Sequence, residues 1–365
     1  MFENIYSNKR VLVTGHTGFK GSWLCCWLLQ LGATVAGYSI DIPTEPANFS
    51  ALGLEDKICH HLGDVCDIER LSAAIDEFQP ELIFHLAAQP LVRDSYADPL
   101  GTFRTNALGT LNLLECVRKR PSVEAVVLIT SDKAYRNVEW QWGYRESDHL
   151  GGEDPYSASK GCAELIAYSY IQSFFNGKGA KTRVATARAG NVIGGGDWAK
   201  DRIVPDCIRS WSSNNKVTLR NPNATRPWQH VLEPLSGYLW LGAQLLKFNQ
   251  AVMGESYNFG PDALVNHSVE TLIKDMAAHW NEPAWEVDSA DNGQKPEAGL
   301  LKLCCDKALS HLKWHAVLGF DETVKFTSEW YHHFYNEDGA NMFTYTNEQI
   351  KKYCQLSKNK ALAWT

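Results

Sequence analysis

What this sequence lacks narrows its class first. No stretch of its 365 residues approaches the ~18 apolar residues of a membrane-spanning helix, so no membrane partner is expected. The opening residues, Met-Phe-Glu-Asn-Ile-Tyr-Ser-Asn-Lys-Arg, carry no apolar run of the kind that begins a secretory signal, and a cytoplasmic location is the expectation. Basic residues are neither in excess nor clustered: 35 Lys and Arg against 42 Asp and Glu leave a net charge of −7. Nucleic acid therefore finds no electrostatic footprint. None of the ten cysteines stands in C-x-x-C spacing, so no metal is assigned. The adjacent pairs Cys25-Cys26 and Cys304-Cys305, and others such as Cys116, Cys162 and Cys207 within helical patterns, read as reduced thiols. No internal repeat or low-complexity tract occurs.

What is present is a large apolar complement, 44% of residues, enough for about two domains. Lys9–Val13 is short, apolar and β-branched and reads as a strand. Strands are also expected at Thr34–Tyr38, at His61-Leu-Gly-Asp64-Val, at Leu82–His85, at Ala125–Thr130 and at Arg183–Arg188. Helical runs separate them at Ser22–Leu31, Asp67–Phe78, Pro99–Arg120 and Pro155–Phe175. This alternation predicts an α/β fold, a Rossmann doubly wound parallel sheet with ligands at the strands' carboxyl ends. A smaller C-terminal substrate-binding domain is expected after the Gly194-Gly-Gly196 loop. Residues 1–190 and 229–262 are assigned to the dinucleotide-binding domain. The returning segment 229–262 carries a helix near Leu232–Phe248 and a strand at Ser256–Gly260. Residues 191–228 and 263–335 go to the second domain, which includes Ser268–Trp280 and closes on a helix at Asp321–Tyr335, and 336–365 is a C-terminal tail.

Between the first strand and first helix lies Gly15-His-Thr17-Gly18-Phe19-Lys20-Gly21. Gly15 allows a tight turn, Gly18 lets backbone approach a pyrophosphate, and Gly21 lets the helix pack closely, with its amino end facing the anion. An acidic residue about 20 positions on is expected to hold the ribose. Asp41 fits, although counting from Gly32 puts Ser39 at the strand end. No arginine occurs between Gly32 and Leu54 to invite a 2′-phosphate, which favours NAD. Asp64 and Val65 close the third strand near the adenine. Leu86, Ala87, Ala88 and Gln89 form a small-residue loop past the fourth strand, and Thr105 completes the expected cofactor set.

Tyr156 and Lys160 stand four apart in Asp-Pro-Tyr-Ser-Ala-Ser-Lys, on one helical face. A neighbouring ammonium favours the phenolate and is expected to lower the tyrosine's pKa. Such a tyrosine can take a hydroxyl proton while hydride leaves the same carbon. Ser131, Asp132 and Lys133 cluster at the end of the fifth strand.

The glycine turn, the His85–Gln89 segment and the Tyr-x-x-x-Lys pair together resemble the extended short-chain dehydrogenase/reductase family, across nearly the whole chain. Thr130-Ser131-Asp132-Lys133-Ala-Tyr resembles the strand end of its nucleotide-sugar 4,6-dehydratases, and Arg226-Pro-Trp-Gln-His230-Val resembles their pyrophosphate segment. With Gly-Asn191-Val-Ile-Gly-Gly-Gly-Asp197-Trp, the likeness is strongest to the branch that takes CDP-D-glucose. The resemblance implies C4 oxidation by NAD, loss of the C6 hydroxyl as water and hydride return to C6, with NAD tightly bound and regenerated. It gives Tyr156 the 4-hydroxyl proton, Ser131 a hydrogen bond to the C4 oxygen, and Lys160 both the tuning of Tyr156 and the nicotinamide ribose. Asp132 becomes the acid for the leaving hydroxyl.

Lys133 departs from the glutamate that many relatives use as the C5 base. A lysine base must be neutral; a cationic one would instead stabilise the enolate, and a structural one would pair with Asp132. Arg226 is the first expected pyrophosphate ligand. Arg202, Arg220, Asn191, His230 and Glu297 accompany it as substrate residues. Trp140, Trp142, Trp198, Trp211 and Trp228 fall near predicted site loops, although core packing suits most tryptophans. A homodimer through the helices Pro99–Arg120 and Pro155–Phe175, or a tetramer, is implied by the family. Dehydratases of GDP-mannose, dTDP-glucose or UDP-sugars, an epimerase, and a non-catalytic dinucleotide sensor are the competing readings. The sensor reading conflicts with the intact Tyr156, Lys160 and Ser131, and an epimerase needs no acid for C6.

Overall fold

A computed structural model describes residues 1–177, 179–219, 221–280, 283–287, 300–337 and 339–365. Among the described residues the chain builds a seven-stranded sheet from β1 (Arg10–Thr14), β2 (Thr34–Ser39), β3 (Cys59–Leu62), β4 (Leu82–His85), β5 (Ala125–Ile129), β6 (Arg183–Arg188) and β7 (Ser256–Asn258). Every pairing is parallel, in the order β7-β6-β5-β4-β1-β2-β3. This is the doubly wound order expected, with the reversal between β1 and β4. The register brings Thr14 opposite both Tyr38 and His85, and Ile129 opposite Ala187, so the carboxyl ends of these strands form one rim. Thr14 and His85 share a 2.7 Å hydrogen bond across the reversal point, and Thr14 Oγ1 also accepts from Ala87 N at 3.2 Å.

Both faces of the sheet are buried, as a parallel sheet requires. Side chains alternate between the two cores with the two-residue strand period. Val11, Val13, Leu82, Phe84 and Val127 face one core, and Leu12, Ile83, Val126 and Leu128 the other. The first core includes α1 (Phe19–Gln30) and helix 232–246; the second includes α2 (Ile68–Phe78), α3 (Gly109–Arg118) and α4 (Pro155–Tyr170).

Several expected elements shift. The third strand lies earlier, at Cys59–Leu62, leaving Asp64 in the following turn. The helix expected over 99–120 is broken by a π turn at Arg104–Leu108, and α4 likewise continues into a π turn at Ile171–Phe175. The first of these inserts an extra residue into an apolar helical pattern. Thr105 then lines the cleft while Asn106 Nδ2 donates to Ser159 Oγ at 2.8 Å. The segment named a tail contains a helix, Met342–Asn359, packed on α1. Beyond it Trp364, fully buried, stacks on Phe2 with centroids 5.2 Å apart, and Phe2 N donates to Trp364 O at 2.6 Å.

Candidate active site

The cleft lies at the carboxyl rim of the sheet and has a volume of about 1980 Å³. That exceeds the ~300–1,000 Å³ of a single small-molecule site and leaves room for two ligands side by side. At one end is the glycine turn. Gly15 has φ +73°, and a Cβ there would sit 2.7 Å from Ala87 N. Gly21 faces the turn itself, where a Cβ would meet Gly15 O at 2.2 Å. Gly18 is the extended residue that starts α1. The turn, its bare backbone and the helix amino end form an anion cradle that any Cβ at 15 or 21 would destroy. The cradle therefore fits a dinucleotide pyrophosphate.

Thr17, Phe19, Lys20, Asp41, Asp64, Val65, Leu86, Ala87, Ala88 and Thr105 all line this part of the cleft. Asp41 is exposed at its rim, and its carbonyl accepts from Thr17 Oγ1 at 2.6 Å. The alternative, Ser39, lines the same cleft, with its hydroxyl engaged by His16 Nδ1 at 2.8 Å. Gln89 corrects the expectation, since it does not line the cleft. Its side chain accepts from Leu91 N at 2.5 Å and donates to Thr102 at 2.9 Å, pinning its own loop.

At the centre, Ser131, Asp132, Lys133, Tyr156 and Lys160 converge on the same cleft. Helix α4 is started by Pro155 and by Asp154, whose carboxylate accepts from Ser157 N at 2.9 Å. Tyr156 therefore stands in the first turn, buried, with its N–H donating to Ser95 Oγ at 3.1 Å. Ser131 Oγ donates to Asp132 Oδ1 at 3.0 Å, and Asn191 Nδ2 approaches Oδ2 at 3.5 Å. Lys133 is half-buried, and its backbone N–H donates to Ser131 Oγ at 3.2 Å. Among the described residues it forms no ion pair with Asp132, so the structural pairing is not what holds it there.

Burial pushes the Tyr156 phenol up to about 12, opposed by a hydrogen bond with Ser131 and by the Arg202 guanidinium. This corrects the expectation that Lys160 depresses it: withdrawing the phenolate from water costs more than one flanking cation returns. Lys160 is itself brought down to about 8 by burial and by Lys20, with Glu164 opposing. Burial and Arg202 likewise lower Lys20 to about 8.

Arg202 and Arg226 also line the cleft, Arg202 near enough to Tyr156 and Lys20 to act on both. Arg202 Nη1 donates to the buried Asp197 at 2.8 Å. Its proximity to Tyr156 was not legible from its place in a scattered arginine set. His230 is also corrected. It is fully buried outside the cleft, edge-on to Trp23 at 5.8 Å and near Phe326 at 5.5 Å. Burial drops its pKa to about 3, so it is a neutral core side chain. Arg220 and Glu297 lie outside the described residues. Of the tryptophans, Trp228 lines the cleft; Trp198 and Trp211 are buried in aromatic packing, and Trp140 and Trp142 are exposed. Among the described residues no cluster of His, Cys, Asp or Glu could hold a metal ion. All ten cysteines are free thiols, and none of the described helices is long and apolar enough to cross a membrane.

A Rossmann sheet with Tyr-x-x-x-Lys at the rim defines a dinucleotide-dependent short-chain dehydrogenase/reductase. The chain belongs to the GDP-mannose 4,6 dehydratase family, which it matches over residues 12–327. It is 48% identical over 355 residues to the CDP-glucose 4,6-dehydratase of Salmonella typhimurium, covering 96% of this chain and 98% of that protein. It is 28% identical over 342 residues to a dTDP-glucose 4,6-dehydratase of Streptomyces antibioticus, covering 88% and 92%. Among solved structures, Thermus thermophilus UDP-glucose 4-epimerase in complex with NAD superposes with a TM-score of 0.74 at 27% identity, covering 88% of this chain and 99% of that one. Bacillus anthracis dTDP-glucose 4,6-dehydratase, at 21% identity and TM-score 0.73 over 92% of this chain and 99% of its own, shares the fold.

Proposed function

We propose that this protein converts CDP-D-glucose to CDP-4-keto-6-deoxy-D-glucose and water, with NAD as its cofactor. The observation that carries the reading is one cleft wall bearing two sets of groups. Tyr156 and Lys160 suit removal of a hydroxyl proton; Asp132 and Lys133, from the adjacent strand end, suit elimination. The likeness to the Salmonella protein supports cytidine as the nucleoside.

Bound on the glycine turn with its ribose at Asp41, NAD supplies hydride acceptance at C4 and hydride return at C6. Tyr156 would take the proton of the 4-hydroxyl as its phenolate, favoured by the positive charge of bound oxidised nicotinamide against the burial that holds the phenol up, and Ser131 hydrogen-bonds the C4 oxygen. The resulting ketone acidifies C5. A neutral Lys133 takes the C5 proton as the C5–C6 double bond forms and the C6–oxygen bond breaks, with Asp132 protonating the departing hydroxyl. The same proton goes back to C5 when hydride enters C6. Lys160 holds the nicotinamide ribose. Asn191, Arg202 and Arg226 hold the sugar pyrophosphate, with guanidinium forks suited to it. Since the hydride taken must be returned, the cofactor stays bound through each turnover. Residues 191–228 and 263–335 form the sugar-nucleotide side, and 1–190 with 229–262 the dinucleotide side.

We further propose a homodimer. Leu100, Leu108, Leu165 and Tyr168 are exposed on segments 99–118 and 155–170, which pack against each other, and large apolar side chains left exposed there suit burial against a second copy. Light scattering giving a monomer mass would remove that proposal. For the reaction, purified protein is mixed with NAD and, separately, CDP-, dTDP- and UDP-glucose and GDP-mannose. The expected result is loss of one water from CDP-glucose alone, without accumulation of reduced cofactor. Water loss from another nucleotide would move the specificity; hexose isomerisation would remove the dehydratase reading.

A further inference from the structure

Glu164 stands one turn beyond Lys160 on the same face of α4. It is buried and meets Arg188, at the end of β6, in a two-point pair. Arg188 Nε donates to Oε1 at 2.7 Å and Nη2 to Oε2 at 2.9 Å, with side chains 3% and 2% exposed. Thr130 also donates to Oε1, and Thr186 to Oε2 at 3.1 Å. The remaining nitrogen of Arg188, Nη1, donates to the Tyr135 hydroxyl at 2.6 Å, which in turn donates to Asn258 Oδ1 at 2.8 Å. Burial pushes the Glu164 carboxyl up, but Arg188 and these donors win and hold it below the usual carboxylate range.

The members of this network are chain neighbours of the groups at the cleft centre. Thr130 precedes Ser131, Tyr135 follows Lys133 by two residues, and Arg188 lies two before Gly190, where an added Cβ would run into the Asp132 carboxylate. A buried ion pair adds little stability over well-packed apolar side chains of the same volume, so stability gives no reason for one at this place.

We propose that Glu164 and Arg188 are a positioning pair, which fixes the mutual placement of Ser131, Asp132, Lys133 and Lys160 and supplies the counter-charge to Lys160. The inference rests on the reading of Tyr156 and Lys160 as the reacting pair. Lys160 is faced by Lys20 from α1, His85 from β4, and Glu164 from its own helix. His85 is neutral through burial, which leaves Glu164 as the anion acting on it.

The test is the double substitution Glu164→Leu with Arg188→Met, which removes both charges at similar volume, beside Glu164→Gln and Tyr156→Phe. The expected double variant folds with its unfolding midpoint retained and binds CDP-glucose with unchanged affinity by calorimetry. Its kcat falls on the order of 10²-fold. In Glu164→Gln the alkaline limb of the kcat/KM profile moves toward neutral by about one pH unit, because Lys160 loses its anion. A folded double variant with wild-type kcat, or an unmoved limb in Glu164→Gln, overturns the proposal. Should the double variant not fold, Glu164→Asp decides, since it keeps the charge and shortens the reach. A lower kcat at retained midpoint supports positioning, and a wild-type kcat overturns it. Full activity in Tyr156→Phe would instead overturn the underlying reading, whatever happens at 164.

Discussion

Gly190→Ala is the perturbation whose outcome the structure fixes most tightly. A Cβ at 190 would stand 1.8 Å from Asp132 Oδ2 and 2.1 Å from its Cγ. Gly190 has no left-handed φ, so alanine is conformationally acceptable there. The obstacle is the end of a side chain rather than backbone, so Asp132 gives way and the fold survives. To reach ordinary contact its oxygen must retreat by roughly 1.6 Å, which breaks its bond from Ser131 or its approach to Asn191. Displacing a reacting group by about 1 Å can cost ~10²-fold in rate, or about 2.7 kcal/mol of barrier. An off-rotamer carboxylate costs only ~0.5–1.5 kcal/mol of stability. The assay follows two signals on CDP-glucose: loss of water by mass, and nicotinamide absorbance. Water loss should fall about a hundredfold while reduced nicotinamide accumulates, since C4 oxidation does not need Asp132. Thermal unfolding should be nearly unchanged. Wild-type water loss from a folded Gly190→Ala protein would refute the placement of Asp132 as the acid.

Lys133→Ala should leave C4 oxidation intact and slow water loss; a variant that dehydrates at wild-type rate removes Lys133 from the elimination. Lys160 carries its proton below about 8 and loses it above, so kcat/KM should hold at neutral pH and fall as pH rises through that value. A profile flat into the range of free lysine would contradict this. Gly15→Ala forces a Cβ into the left-handed region, which costs ~1–2 kcal/mol, and into the backbone of Ala87; calorimetry should show dinucleotide binding lost before the fold is. Trp364→Ala empties a fully buried aromatic site stacked on Phe2 and Tyr353 and should destabilise by ~3–5 kcal/mol in denaturant titration, without altering KM for CDP-glucose.

Local signals carried far in this chain. The strands of the sheet, the glycine turn and the start of α4 are each encoded within a few residues, and each but the third strand appears within a residue or two of its expected place. Tyr156 and Lys160 were legible because a helix converts spacing into adjacency. Glu164 continues that spacing by one more turn, and that was the available signal for it. Its partner Arg188 is 24 positions away, on a strand that reaches it only through tertiary packing. His230 shows the limit of motif resemblance: a segment likeness gives the path of the chain, not which side chains face in. After Trp228 the chain turns inward ahead of helix 232–246, and Gln229 and His230 are buried there, His230 against Trp23 and Phe326. Gln89 was misassigned because loop backbone needs hydrogen-bond partners, and here its own amide serves as one. The phenol of Tyr156 was misjudged because spacing reports neighbours but not solvent.

The glycine turn has a consequence for changing which dinucleotide the protein takes. The space beside Gly15 is filled by the β4 loop, and the space beside Gly21 by the carbonyl of Gly15 itself. Neither position can drift alone: enlarging one requires moving a strand end, a loop and a helix together. The ribose end is different. Ile40 is 64% exposed, and Asp41 is exposed beside it. Selection for an altered cofactor, natural or in the laboratory, therefore has a rigid end and a permissive end of one molecule to act on. It should accumulate substitutions at 40 to 43 while the seven residues of the turn stay still.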